Sequence, residues 1–333
     1  MTETLELTID VTDNPTNYEV EISVSPTNTD SVAGQEVEFS VTIYNKGDES
    51  DTFDLEVLGD EEPWVDFEEN GIVKLQNVID ETLLDKLNQC FEWSLANPGP
   101  IASGNPSGEN INFVDNANPK AYQMYGDLVL ESNFGAIASE LWGSEYVGFF
   151  AEQVFLKQGK SRPTYWHQDT VYWPLGGEHW ANFWIPLVEM TKEQSIQIVR
   201  GSHKGTMYDG TTFNPKDPTE PLWGEAGNFP RLPDITADLD KNPASWDIAR
   251  FDVSPGDLVI LHPHSIHSGG KNDDTLAVRR NLVLHFFGDK SYYSGHLPEA
   301  QGMYGHKPLS ATGRFLQDGD LYRPASMIRA NPQ

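Results

Sequence analysis

The amino-acid sequence predicts a mainly β fold, a β-barrel or double-sheet jelly roll with flanking helices against one side. Short runs rich in β-branched and aromatic residues recur between residues 146 and 287, with turn residues between them. Two helical patterns precede these runs. At 333 residues, the chain is also long enough to bury a large core.

Residues 1–62 are predicted to form a short, acidic, β-rich accessory segment. Val37–Tyr44 alternates apolar and polar residues, and Thr52–Val57 does so again. The turn residues Asn45–Asp48 between them predict a hairpin. Residues 1–65 carry 17 Asp and Glu against one Lys, which accounts for −16 of the total charge of −29.

The helices of the remaining domain, residues 63–333, are indicated by capping and breaker residues. Asp66–Leu75 is typical of a turn leading into a short strand. Asp80 is a plausible N-cap for a helix over Glu81–Ala96, which ends at a Pro- and Gly-rich stretch. Cys90 lies on the apolar face of that helix, so we expect a buried thiol.

The strands follow after a loop-like stretch over residues 101–120 and a second helix around Asp127–Trp142. Pro, Asp and Asn are frequent in residues 208–244, and a loop of that length is typical of a lid. Strands are predicted at Val147–Lys157, Tyr165–Tyr172, Trp180–Leu187, Ser195–Arg200, Trp246–Phe251, Asp257–His262 and Arg279–Phe287.

Charge and cysteine content exclude several classes of protein. An acidic chain repels nucleic acid and anionic membranes, because both need clustered Lys and Arg, and the acidity is typical of high solubility. One cysteine permits no internal disulfide and no zinc or iron–sulfur cluster. The sequence shows no secretory leader and no membrane-spanning run, so we expect a cytoplasmic protein without an obligate protein partner.

The run His167-Gln168-Asp169 indicates a metal site. Side chains two positions apart on an extended segment point the same way, so His167 and Asp169 can hold one ion together. The run Gly256–Gly270 supplies three further histidines directly after an apolar strand. Two imidazoles and one carboxylate on one face of a metal suit a non-haem Fe(II) oxygenase.

Five ordered landmarks resemble the phytanoyl-CoA dioxygenase (PhyH-like) family of Fe(II)- and 2-oxoglutarate-dependent oxygenases. They are His167-Gln168-Asp169, Trp184–Leu187, Arg200–Lys204, Pro255–Asp257, and His267–Gly270 with Arg279 and Arg280. The opening Phe67–Val73 is similar as well. The resemblance implies a double-stranded β-helix core, the cupin-like jelly roll.

The resemblance also implies roles for particular residues. The metal ligands, and thus the catalytic centre, would be His167, Asp169 and a distal histidine. His267 is favoured as the distal ligand, His264 is the runner-up, and His262 is expected to cap the strand or pack.

Arg279 would bind the distal carboxylate of 2-oxoglutarate, since a planar guanidinium is a bidentate partner, while the neighbouring Arg280 faces outward. Trp184 would pack on the cosubstrate. Ser268 would reach it by its hydroxyl, although the family has Gly and then Ser after the histidine, whereas this chain has Ser268 and then Gly269.

The implied cofactors are Fe(II), the cosubstrate 2-oxoglutarate, and O2. The implied reaction is hydroxylation of a small organic substrate with release of succinate and CO2. Trp173, Tyr172 and His285 are the predicted substrate contacts. The sequence contains no cluster of Lys and Arg that would favour a coenzyme A thioester as the substrate.

Two other functions are compatible with parts of the sequence. One is a metal-binding cupin-like barrel that binds or isomerises a ligand without 2-oxoglutarate, and Arg279 discriminates against it. The other is a non-catalytic binding protein whose acidic β segment is the active part. Halogenation is disfavoured, because family-type halogenases replace the ligand carboxylate with a small residue, and Asp169 is present.

Overall fold

The computed structural model describes residues 6–10, 20–25, 40–45, 54–58, 63–159, 161–226, 229–270, 278–294, 310 and 312–331. The chain divides into two compact units, residues 1–61 and residues 62–333. Each unit is described by itself.

The described residues of the first unit form the strands β1 (Glu6–Asp10), β2 (Val20–Ser25), β3 (Ser40–Asn45) and β4 (Asp54–Leu58). β1 pairs with β4 and β2 pairs with β3, both antiparallel. The predicted hairpin between the last two strands is therefore wrong. Alternation along a strand fixes which face each residue occupies, but it does not choose the partner strand. Most of the predicted turn, residues 46–48, lies outside the described residues.

The helices of the second unit are α1 (Pro63–Asn70), α2 (Glu81–Ala96), α3 (Tyr122–Leu130), α4 (Phe134–Trp142) and α5 (Ile235–Lys241). The prediction of α2 is confirmed, and the Asp80 side chain accepts a hydrogen bond from the backbone of Leu83 at 2.8 Å. α1 occupies positions predicted as a turn. The predicted helix over residues 127–142 is two helices, because Ser132 bonds to Val129 behind it and to Phe134 ahead of it.

The strands of the second unit are β5 (Ile72–Leu75), β6 (Ile111–Asn116), β7 (Gly148–Gln158), β8 (Leu175–Gly177), β9 (Trp180–Pro186), β10 (Ile196–Val199), β11 (Ile248–Arg250), β12 (Leu258–Leu261), β13 (His267–Gly269), β14 (Val278–Phe287), β15 (Ser291–Tyr293) and β16 (Ile328–Arg329). A seven-stranded sheet has the order β16-β7-β14-β9-β12-β5, with β6 paired to β7. A three-stranded sheet has the order β11-β10-β13, and β15 pairs with β8. The strand pairs are antiparallel, and the predicted jelly-roll fold is confirmed.

Two predicted segments differ in the structure. The loop-like stretch contains β6, in which Ile111, Phe113 and Asp115 are buried in alternation. Residues 165–172 do not form a strand, since only His167 makes a β-bridge. The chain turns directly after it, where Tyr172 donates a backbone hydrogen bond to Asp169 at 2.9 Å.

The main hydrophobic core lies between the large sheet and helices α2, α3 and α4. It includes Phe91, Tyr125, Phe134 and Phe286, all fully buried. Cys90 belongs to the same core, as predicted, and burial raises the pKa of its thiol to about 11. A second cluster fills the space between the two sheets, so that the inner faces of the jelly roll are apolar except at the site described next. Within the described part of the chain, no helix is both long and apolar enough to cross a membrane.

Candidate functional site

A cavity of about 540 Å³ lies between the inner faces of the two sheets. The large sheet contributes residues of β6, β7, β9 and β14 to its wall, and the small sheet contributes residues of β10 and β13. Residues 211–213 and 222 of the long loop line the cavity too. His167, Asp169, His267 and Arg279 all line this cavity, so their side chains can act on one bound molecule.

Three predicted metal ligands meet at the wall of this cavity. One donor atom from each of His167, Asp169 and His267 lies within 4.8 Å of the others. The Asp169 carboxylate is 3.3 Å from Nε2 of His167 and 3.7 Å from Nε2 of His267. The backbones of the two histidines form an antiparallel bridge with hydrogen bonds of 3.0 and 2.9 Å, which brings the distant residues together.

Backbone carbonyls fix the tautomer of both histidines. Nδ1 of His167 is 2.8 Å from the Tyr165 carbonyl, and Nδ1 of His267 is 2.9 Å from the Ser265 carbonyl. A carbonyl only accepts, so each Nδ1 carries the hydrogen and each Nε2 presents a lone pair. Two such nitrogens and one carboxylate oxygen form a donor set that fits Fe(II).

A second layer of hydrogen bonds holds the Asp169 carboxylate in place. Asn182 donates to its Oδ2 at 2.5 Å, and Nδ1 of His285 donates to the Asn182 carbonyl oxygen at 2.6 Å. Burial raises the pKa of Asp169, but the neighbouring His267 and His167 more than offset this and hold it below its ordinary value. The carboxylate is thus ionised and ready to bind a cation.

His285 needs correction as a predicted substrate contact. Its side chain is fully buried and is not part of the cavity wall. It lies behind Asn182, and its ring centroid is 5.1 Å from that of Trp173. His285 is on the same face of β14 as Arg279, because residues an even number of positions apart on a strand share a face, but Asn182 separates it from the cavity.

The other two candidate histidines lie apart from the metal ligands. Nδ1 of His264 is 3.0 Å from the Thr170 hydroxyl, and His264 is not part of the ligand cluster. His262 is buried, and its Nδ1 accepts a hydrogen bond from the His264 backbone at 3.1 Å. It packs beside His203 at a centroid distance of 5.4 Å, in keeping with the packing role expected for it.

Arg279 and Arg280 point to opposite sides of β14. Arg279 is 4% exposed, lines the cavity and donates to the Gly270 carbonyl at 2.8 Å. Burial lowers its pKa to about 10, so its guanidinium stays charged at neutral pH. Arg280 faces outward, where it forms an ion pair with Glu92 at 2.6 Å. Its guanidinium carbon lies 4.5 Å from the centre of the Phe91 ring.

Aromatic residues form the rest of the cavity wall. The buried side chains of Trp184, Tyr172 and Trp173 line it. The half-buried Phe213, from the long loop, lines it too. The Phe213 ring lies 5.3 Å from that of His167, close to the metal site. Ser268 is also at the wall, but alternation along β13 directs His267 and Gly269 to one face and Ser268 to the other.

Sequence reasoning missed two residues at this site. Asn182 could have been found by counting two positions back from Trp184 on the same strand, since both side chains then face inward. Phe213 has a positive φ of 55°, a backbone strain that clusters at functional sites, and nothing in its local sequence indicates this.

An antiparallel jelly roll that sets two histidines, one aspartate and a buried arginine around one cavity defines the class of Fe(II)- and 2-oxoglutarate-dependent oxygenases. The profile of the phytanoyl-CoA dioxygenase (PhyH) family matches residues 67–280. The chain belongs to this family. Its cofactors are accordingly Fe(II) and 2-oxoglutarate, with O2 as the second cosubstrate.

Solved structures resemble this chain in fold. The non-heme alpha ketoglutarate dependent epimerase SnoN from nogalamycin biosynthesis is 20% identical with a TM-score of 0.57, covering 82% of this chain and 98% of its own. The carbocyclase SnoK from the same biosynthesis is 19% identical with a TM-score of 0.55, covering 80% and 95%. EctD from S. alaskensis, solved with 2-oxoglutarate and 5-hydroxyectoine, is 17% identical with a TM-score of 0.50, covering 68% and 74%. A search of curated proteins found none that matches the sequence.

Proposed function

We propose that this enzyme hydroxylates a small organic substrate, with 2-oxoglutarate converted to succinate and CO2. The observation that carries the proposal is that the metal ligands and the buried Arg279 line one cavity. A volume of about 540 Å³ is in the range of cavities that hold small-molecule ligands.

Each residue has a defined task in this proposal. His167, Asp169 and His267 would hold Fe(II) on one face and leave the face toward the cavity open. Arg279 would bind the distal carboxylate of 2-oxoglutarate, because its charged fork is buried and faces the same space. Trp184 would pack on the cosubstrate. When bound, the metal and cosubstrate supply the oxidation of a substrate C–H bond by O2.

The substrate would bind against the aromatic wall. Tyr172 and Trp173 would contact it from the metal-ligand segment, and Phe213 would cover it from the long loop. The loop over residues 208–244 would act as a lid, since it places Phe213 beside His167. These side chains also keep water away from the metal, which protects a reactive site from side reactions.

Arg279 favours this proposal over a barrel that works without 2-oxoglutarate. Such a barrel has no need for a buried guanidinium at the same cavity as the metal. A non-catalytic binding protein would likewise have no need for an ordered ligand set with fixed tautomers. Asp169 as a ligand disfavours halogenation. The related folds of an epimerase and a carbocyclase make these two outcomes the alternatives to test.

An anaerobic titration tests the site. Fe(II) and 2-oxoglutarate added to the full-length protein should produce a visible charge-transfer absorbance. Asp169→Ala and His267→Ala should lose it, while His264→Ala, the matched control, should retain it. The ligand assignment is wrong if the absorbance persists undiminished in the first two variants.

Isotope labelling tests hydroxylation against the other outcomes. A substrate found by stimulated succinate release would be turned over under ¹⁸O2. Hydroxylation predicts a product heavier by one labelled oxygen atom. An epimer or a ring-closed product without label would refute hydroxylation and leave the cofactor assignment intact.

The domain roles and the location are also proposals. Residues 63–333 would form the catalytic domain, and residues 1–62 an accessory segment in a cytoplasmic protein. A chain of residues 63–333 alone should retain the charge-transfer absorbance if the first segment is accessory, and should lose it if that segment completes the site.

A further inference from the structure

Two amide side chains lie side by side on the cavity face of strands β6 and β7. Asn116 on β6 is directly opposite Gln153 on β7 in the register of the sheet, and both residues line the cavity. Directly opposite residues of an antiparallel pair have β-carbons about 4.5–5.5 Å apart, so the two amides can bind one molecule together. The Oδ1 atom of Asn116 is buried and has no hydrogen-bond partner among the described residues. Buried polar atoms are ordinarily paired, which indicates that a ligand completes the bonding of this amide.

A third neutral group faces the cavity from the long loop. Thr211 is 2% exposed and lines the cavity, and its hydroxyl has no hydrogen-bond partner in the described part of the chain. Its backbone N–H and carbonyl both bond to the Tyr172 hydroxyl, at 2.6 and 3.1 Å, which holds this residue at the cavity wall. A buried hydroxyl without a partner is unfavourable, and a hydrogen bond to a ligand would satisfy it.

The three polar groups border the aromatic wall of the cavity. Ala117, the residue after Asn116, packs against the hydrophobic cluster that contains Tyr172 and Trp173. Thr211 bonds directly to the Tyr172 hydroxyl. A molecule bound here would therefore place an apolar face on aromatic rings and its hydrogen-bonding groups against the amides and the threonine hydroxyl.

The charges of the wall indicate that this part of the substrate is neutral. Besides histidines, the charged residues of the described wall are Lys157, Arg162, Arg279 and Asp169. Three cations against one carboxylate would repel a cationic substrate. A carboxylate only accepts hydrogen bonds, so it would leave the acceptor oxygen of Asn116 unpaired. A hydroxyl both donates and accepts, and it can therefore pair with an amide in either role.

We propose that the substrate is a neutral ring that carries neighbouring hydroxyl groups, of the kind found in sugars. Asn116 and Gln153 each pair with a hydroxyl on one edge of this ring, and Thr211 binds a hydroxyl from the side of the loop. The apolar face of the ring packs on Trp173. The three polar residues determine specificity and take no part in the oxidation itself. The inference rests on the proposed function, because it names the substrate class for the same cavity.

Matched phenyl glycosides test the substrate class in the full-length protein. The neutral probes are phenyl β-D-glucoside, phenyl β-D-galactoside and phenyl β-D-xyloside. Phenyl β-D-glucuronide adds a carboxylate, and 2-phenoxytetrahydropyran is the ring without hydroxyl groups. Ni(II) and 2-oxoglutarate are added first, so that no turnover occurs, and calorimetry measures the Kd of each probe. At least one neutral glycoside should bind at least about 10-fold more tightly than both the glucuronide and the ring without hydroxyls, because several hydrogen bonds are gained together.

Variants of the three residues test which groups bind the hydroxyls. Asn116→Leu, Gln153→Met and Thr211→Val keep the approximate shape of each side chain and remove its hydrogen-bonding group. Each should raise the Kd of the tightest neutral glycoside by about 2–10-fold, the range for a neutral hydrogen bond, and change that of 2-oxoglutarate by less than about 2-fold. Gln158→Met, on the same strand but not among the residues of the cavity wall, is the matched control.

Three outcomes would overturn the proposal. The first is that no neutral glycoside binds, although the wild-type protein shows the charge-transfer absorbance with Fe(II) and 2-oxoglutarate. The second is that the glucuronide or the ring without hydroxyls binds as tightly as the neutral glycosides. The third is an unchanged Kd for the glycoside in all three variants, or an equal loss for the glycoside and 2-oxoglutarate. If the wild-type protein itself shows no absorbance, the proposed function fails, which none of these three outcomes implies.

Discussion

Asn182 is the residue on which the position of the Asp169 carboxylate most directly depends. Its amide donates to Asp169 on one side and accepts from His285 on the other. Turning the amide over would therefore break both bonds, because its oxygen would then face the carboxylate and its NH2 the N–H of His285. An aspartate at the start of a turn, without this partner, would be free to adopt other rotamers.

Asn182→Ala should weaken Fe(II) binding by about 10–100-fold, as is typical for the partners of metal ligands. The reason is the loss of orientation of Asp169, and the fold should remain intact. A competition titration against a chelator with known affinity measures the change. Asn112→Ala, an amide of the same cavity wall without contact to a metal ligand, should leave the affinity unchanged. Equal losses in both variants would argue against a specific role of Asn182.

Arg279→Gln and Arg280→Gln form a matched pair on neighbouring positions of β14. Arg279→Gln should reduce 2-oxoglutarate affinity on the order of 100-fold, because two charge-assisted hydrogen bonds are lost from a buried site. Arg280→Gln should leave that affinity unchanged and lower the free energy of unfolding by less than about 1 kcal/mol, as expected for an exposed ion pair. Calorimetry and denaturant unfolding measure the two effects. The reverse ranking in affinity would show that the two roles are exchanged.

At the scale of secondary-structure elements, the metal-ligand segment differs from its prediction. The sequence predicted a strand over Tyr165–Tyr172, whereas a single β-bridge at His167 holds this segment. His167 pairs only with His267, and the chain on either side of it is irregular. The prediction of a common direction for His167 and Asp169 used the alternation of an extended strand. Their donor atoms do meet, but the turn after Asp169 and the hydrogen bond from Asn182 set the geometry. The sequence could indicate which residue types bind the metal, but it could not indicate the turn that follows Asp169.

The long loop is attached to the metal-ligand segment by the Tyr172 hydroxyl. This hydroxyl donates to the Thr211 carbonyl at 3.1 Å and accepts from the Thr211 backbone at 2.6 Å. Tyr172→Phe leaves a buried N–H without a partner, which costs about 1–3 kcal/mol. We expect faster cleavage within residues 208–244 by limited proteolysis, with the charge-transfer absorbance retained.

Tyr165→Phe is the control for this loop, because Tyr165 lines the same cavity and its hydroxyl bonds to no residue in the described part of the chain. Its cleavage pattern should match that of wild type. If both variants are cleaved equally fast, the hydroxyl of Tyr172 does not hold the loop.

At the scale of the whole molecule, the cavity and the chain have opposite charge. The chain carries −29, yet Lys157, Arg162 and Arg279 line the cavity against the single carboxylate of Asp169. Because Asp169 serves the metal, the remaining cations favour an anionic cosubstrate. The acidic chain repels anions at long range, 2-oxoglutarate included, so the attraction for this cosubstrate comes from the cations of the cavity wall.

Buried histidines make the metal-free protein sensitive to acid. Burial, with His203 second, lowers the pKa of His262 to about 3, and burial lowers that of His285 to about 4, against about 6.5 in the unfolded chain. Between these values the unfolded chain binds more protons than the folded one, so stability rises with pH. The contribution is therefore complete above about pH 6.5 and is lost as the pH falls toward about 4.

His262→Gln should reduce the dependence of the unfolding free energy on pH between about 6.5 and 4. The expected reduction is up to about 1.4 kcal/mol per pH unit, corresponding to one proton. Denaturant unfolding with a chelator present measures it at several pH values. An identical slope in wild type and variant would show that His262 does not titrate with unfolding.

The sequence by itself determined several of the helices and strands and the types of residue that would hold the metal. The helix over Glu81–Ala96, its Asp80 cap, the long inner strands and the buried Cys90 are encoded in neighbouring residues, because periodicity and capping act within a few positions. Only the tertiary structure decided which strands pair, that Asn182 holds Asp169, and that Lys157 lies opposite Arg279. These relations join residues far apart in the chain, and the register of the whole sheet sets them.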